Sequence, residues 1–146
     1  MAVRMELARI LIRELTDYQL IELREVLEET EDDDGTPAEA RTFPIVIGLP
    51  EAQAIERRLK GVPIKRPQTH DLLASIVDEL GGTLQSITIT DLADHTFFAT
   101  LDIRRADGEL LHIDSRPSDA IAIGVAGQVP IFVNEHVLEA ATRDEL

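Results

Sequence analysis

At 146 residues, with 44% apolar content and no cysteine, the chain can build one domain with a proper core and excludes disulfides, thiolate nucleophiles and cysteine-ligated metal centres. Its 28 acids against 14 bases give a net charge of −14, which repels polyanions unless a local basic patch, a bound cation or salt offsets the field. No apolar run approaches a membrane span and the first residues lack the apolar core of a signal peptide, so a cytoplasmic protein with no membrane association is expected.

Residues 3–15 and 19–29 fit two readings. Leu7, Ile10, Leu11 and Leu15 share a helix face, as do Leu20, Leu23 and Leu27; two strands joined at Thr16-Asp17-Tyr18 fit as well. The acidic stretch 28–40 predicts a solvated loop and lacks the spaced ligands of a calcium loop. Phe43 to Gly48 reads as a short buried strand, and Pro50 opens a helix to about Lys60 with Ala52, Ile55 and Leu59 inward. Thr69 is expected to cap the next helix, whose apolar stripe is Leu72, Leu73, Ile76, Val77 and Leu80. Alternation over 85–90 and 97–104 predicts strands turning at Asp94-His95, and Asp107-Gly108 signals a hairpin into 109–114.

Ile113 to Gly124 sets a polar cluster against an apolar run. Pro117 suits the first turn of a helix, and every residue from Ala120 to Ala126 is apolar or Gly, so that helix should be buried. Ser118 and Asp119 then lie at the edge of the core, where polar groups must be paired or used. Val129 to Val133 reads as a strand and Asn134 as the cap of a last helix.

Pro50, Val62, Pro63 and Ile64 recur as Pro117, Val129, Pro130 and Ile131, each 67 positions on. Two copies, about 3–81 and 83–141, would each hold three strands and two helices, which selects strands for the ambiguous N-terminus.

Five segments now fall into a known order. Phe43-Pro44-Ile45-Val46-Ile47-Gly48 with Glu51-Ala52-Gln53-Ala54-Ile55, Arg66-Pro67-Gln68-Thr69-His70-Asp71-Leu72-Leu73, Asp91 to Ala99, Ile113-Asp114-Ser115-Arg116-Pro117-Ser118-Asp119-Ala120-Ile121-Ala122 and Val129-Pro130-Ile131-Phe132-Val133 together resemble the bifunctional nuclease domain family. The resemblance implies a single α+β domain in which a duplicated unit of three strands and two helices forms one barrel-like mixed sheet with helices packed on it. It also implies nuclease activity on DNA and RNA. Val46 stands where the family often has Trp, Phe98 where it often has Tyr and Gln68 where it often has Leu; the first two changes remove stacking and hydroxyl groups useful to a nucleic-acid site.

His70 and Asp71 begin one helix, and Arg116, Ser118 and Asp119 begin another, so both helix dipoles would face one anion. In the nuclease reading these five are the catalytic candidates. Asp119, with Asp114 or Asp71, would hold a divalent cation such as magnesium or manganese, His70 would act as acid or base, and Arg116 would clamp phosphate. Helix capping and an arginine–carboxylate pair joining the two halves are the structural alternative for the same residues, weaker for Arg116 and Asp119, whose charges begin a buried helix. Arg57, Arg58, Lys60, Lys65 and Arg66 form the candidate nucleic-acid patch, although cations near a helix C-terminus are also what its dipole favours. His95 and His112 read as turn and strand-face residues, and no HExxH, P-loop, GxSxG or dinucleotide spacing occurs. The alternative function is a non-catalytic module that binds a protein or small anion through the same cluster, and the sheet-based fold leads us to expect a homodimer.

Overall fold

A β-bulge explains why the N-terminus mimics a helix. The computed structural model describes residues 1–13, 15, 18–27 and 39–143. Within them β1 (Ala2–Leu11) and β2 (Gln19–Glu25) pair antiparallel, with Leu7 opposite Leu23 and Ile10 opposite Ile21. The register shifts between Leu7 and Arg9, so Leu7 and Ile10, three apart, both pack on the core. One inserted residue turns strand alternation into a helix-like spacing. The turn at 16–17 and the acidic segment 28–38 lie outside the described residues.

The remaining elements are β3 (Thr42–Ile47), α1 (Leu49–Lys60), α2 (Thr69–Glu79), β4 (Thr83–Ala93), β5 (Thr96–Arg104), β6 (Leu110–Ser115), α3 (Pro117–Gly124), β7 (Ile131–Asn134) and α4 (Glu135–Arg143). They form one seven-stranded sheet in the order β3-β2-β1-β7-β4-β5-β6, with β7 antiparallel to β1 and parallel to β4. Strands β3 and β6 are its edges. The barrel expectation is therefore corrected: the sheet is open. The 67-residue offset carries β3 onto β6 and α1 onto α3, but it sets β1 on α2 and β2 on β4, and the chain after α1 runs irregularly where the shifted position enters β7, so the elements do not repeat in step along the whole chain. A single strand position lies between β1 and β4, and β7 fills it.

All the large core side chains of the strands point to one face. Ile21, Leu23, Phe43, Ile45, Ile89 and Val133 meet Ala52 and Ile55 of α1, Ile121 of α3 and Val137 and Leu138 of α4 in one cluster, with Phe43 stacked on Phe97 at 5.5 Å. Burying a Leu, Ile or Phe side chain contributes about 1.5–3 kcal/mol, so this layer dominates the stability. Helix α3 is buried along its length, as its sequence demands. Three expectations fail. Leu59 is 53% exposed rather than inward, and α2 has no buried residue at all: Leu72, Leu73, Ile76 and Leu80 are 41–80% exposed. Gln68, not Thr69, occupies the cap position of α2, and its N–H donates to Asp71 Oδ2 at 3.0 Å. No helix among the described residues is long and apolar enough to cross a membrane.

The opposite sheet face is polar and carries a buried carboxylate. Asp102 accepts hydrogen bonds from Ser86 and Thr88 at 2.7 Å, Thr100 at 2.9 Å and His112 Nδ1 at 2.7 Å. Burial raises its carboxyl, but these four donors outweigh it and hold it below the usual range.

Candidate functional site

Three helix starts converge on one cavity of about 1200 Å³, open along α2 and β6. Pro50 and Glu51 of α1, Thr69 and His70 of α2, and Arg116 with Asp119 of α3 line its polar end. Each start follows from sequence: Pro50 and Pro117 lack an N–H where none is needed, and Asp119 and Glu51 sit where unpaired amides favour an anion.

His70 and Asp119, 49 residues apart, meet there: His70 Nε2 lies 2.8 Å from Asp119 Oδ1, with side chains 12% and 27% exposed. An ionised carboxylate only accepts, so Nε2 carries the proton and Nδ1 remains for other work. The other oxygen of Asp119 accepts from Arg116 Nε at 2.8 Å, and Arg116 Nη1 lies 3.6 Å from Glu51 Oε1. The Asp119 hydrogen bond and charge, then Glu51, hold the Arg116 guanidinium still more firmly protonated than usual. Its side chain is 67% exposed, so a charged donor stands in the cavity mouth.

The other candidates sit elsewhere. Asp71 does not line the cavity; Arg57 donates to it at 2.9 Å and Arg58 also pairs with it. Burial alone would raise its carboxyl, but Arg57, the Gln68 N–H and Arg58 take it down to about 2. Arg58 in turn donates to the carbonyls of Ala122 at 2.6 Å and Ile123 at 2.9 Å, tying the end of α3 to the start of α2. Ser118 is buried beneath the cavity wall and does not line it, whereas Asp114 is exposed and does. In the basic cluster, Arg57 and Arg58 are drawn into the Asp71 clamp, while Lys60, Lys65 and Arg66 are exposed, Lys60 pairing with Glu56 at 2.6 Å.

Glu51 was missed. An acid in the first turn of a helix reads from sequence as a dipole complement, and nothing local shows that it will face Arg116. A resident divalent cation is not matched by the donor set: both oxygens of Asp119 are engaged, and among the described residues no three His, Asp or Glu side chains gather as a cation-binding group.

An imidazole–carboxylate pair beside a guanidinium, in a cleft on a one-sided sheet, can exchange a proton and hold an anion. The bifunctional nuclease domain model matches residues 34–145, and the chain belongs to that family. Two uncharacterised proteins from strains of Mycobacterium tuberculosis are 42% identical over 101 residues, covering 69% of this chain and 59% of theirs. Bifunctional nuclease 1 of Arabidopsis thaliana is 28% identical over 107 residues, 72% of this chain and 32% of its own length. Bifunctional nuclease 1 of Oryza sativa subsp. indica is 24% identical over 97 residues, 65% of this chain and 29% of its own. The chain thus spans 59% of the mycobacterial relatives and about a third of the plant ones.

Proposed function

We propose that the protein hydrolyses phosphodiester bonds of DNA or RNA at the polar end of this cleft. The observation that carries the reading is the meeting of His70 and Asp119 beside Arg116. Arg116 binds the non-bridging phosphoryl oxygens and stabilises the charge that grows on them. Asp119 holds the His70 ring by Nε2, which leaves Nδ1–H to deliver a proton to the leaving oxygen. Such a proton transfer contributes about 10²–10⁴-fold in rate, so His70→Ala should lose at least 100-fold on single-stranded DNA and RNA. Assays with added magnesium or manganese, and with chelator, separate a metal-borne route from a side-chain route. Cleavage equal in wild type and His70→Ala would contradict the reading.

The apolar flank of the same cavity favours a second role. Leu73, Ile76, Leu80 and Ile113 line it and are 41–80% exposed, beside the unpaired edge of β6, where no Lys or Pro blocks pairing. We infer a homodimer through this face, with nucleic acid confined to the polar end.

A further inference from the structure

A proton donor for the leaving oxygen leaves the attacking water without an acceptor. We propose that Glu51 accepts that proton, an assignment that rests on the nuclease reading of the cleft. Glu51 is the carboxylate across Arg116 from Asp119. Its side chain is 15% exposed, lines the cavity, and places Oε1 3.6 Å from Arg116 Nη1. Asp119, with His70 hydrogen-bonded to its other oxygen, accepts from Nε of the same guanidinium. A phosphoryl group held by Arg116 would therefore meet a carboxylate that faces Nη1 and an imidazole held through the acceptor at Nε, one group to take a proton and one to give it.

The chain makes room for this carboxylate. A Cβ on Gly48 would stand 2.5 Å from Glu51 Oε1 and 3.5 Å from its Cδ, although the backbone there, at φ −78°, admits any residue. Gly48 is thus required for the position of Glu51 and not for its own conformation.

In the step, Glu51 takes one proton from water as the water oxygen bonds to phosphorus. The bond from phosphorus to the ester oxygen breaks, and His70 Nδ1–H protonates the departing oxygen. Glu51 ends protonated and His70 neutral; proton exchange with solvent restores both. The charged and titratable groups around Glu51 are Arg116 and, on the same cavity, His70, Arg105, Asp107, Asp114 and Asp119.

Glu51→Gln keeps the shape and removes the acceptor. Single-turnover cleavage should fall about 100-fold or more, and the pH–rate profile should lose its acidic limb while keeping its alkaline limb. Gly48→Ala should push the carboxylate aside and lower the rate about tenfold at an unchanged urea midpoint, and it decides the matter if Glu51→Gln does not fold. A wild type that cleaves, with His70→Ala inactive and Glu51→Gln unaltered or slowed with its acidic limb intact, overturns the role of Glu51 alone. An unchanged rate in Gly48→Ala counts against it in the same way. Wild-type protein no more active than His70→Ala overturns the nuclease reading and this assignment with it.

Discussion

Asp71 and Asp119 look alike in the sequence, each an acid in the first turn of a helix within a family motif, and the fold gives them different work. Asp119 faces the cavity, while Asp71 is held by two arginines away from it. The helix start was legible; the partner was not, because Arg57 and Arg58 approach Asp71 only once α1 and α2 have packed. The clamp has a pH signature. Its carboxyl, lowered from 3.8 to about 2 in the folded state, contributes stability that is fully present above pH 4 and lost as pH falls through about 2. With the Asp71 side chain 16% exposed, that contribution is on the order of 1–2 kcal/mol. Urea unfolding at a series of acidic pH values should show it in the wild type and not in Asp71→Asn. The same distinction explains Ser118 and Glu51: burial of the one and the facing of the other toward Arg116 are tertiary facts with no local spacing to announce them.

Elements were legible where a single period governs them. The apolar run of α3 demanded burial and received it, and the pairing of β4 with β5 was legible from alternation over 85–90 and 97–104 and a turn at Asp94-His95, both at positive φ, even though its register shifts between Leu84 and Ser86 and between Ile89 and Asp91. Strand β1 was ambiguous because its bulge adds one residue to the count. Helix α2 misled in the other direction: its stripe is periodic, but the cavity lies where a core would be. Close packing around α3 is testable at Gly124, where a Cβ would meet Ile87 Cδ1 at 2.7 Å and Val129 Cβ at 3.1 Å. Ile87 is 1% exposed and has nowhere to go, so Gly124→Ala should destabilise by about 1–3 kcal/mol, read as a lower urea midpoint at constant m. The exposed stripe predicts the opposite sensitivity. Ile76→Glu should leave the stability of the isolated chain nearly unchanged but convert a dimer into a monomer by light scattering; a wild type that is monomeric at high concentration would contradict the dimer.

For the whole molecule, charge was readable in advance and closure was not. Whether a sheet closes depends on its two edge strands meeting, and β3 and β6 stay apart in the hydrogen-bond order. The net charge of −14 stands, and the basic cluster meant to offset it is largely engaged within the protein. Substrate capture should therefore be limited by repulsion that salt screens over about 10 Å at 0.1 M. Raising ionic strength from about 20 to 150 mM should increase kcat/KM on single-stranded DNA by a few-fold, where a basic nuclease would lose affinity. A steep fall would point to a cationic binding face instead. The most direct measurement of the active-centre claim is single-turnover cleavage by wild type and Asp119→Asn purified in parallel. Asp119→Asn keeps the shape but removes the carboxylate that holds His70 Nε2 and Arg116 Nε, so a loss of about 100-fold or more at an unaltered urea midpoint is predicted; equal rates would contradict it.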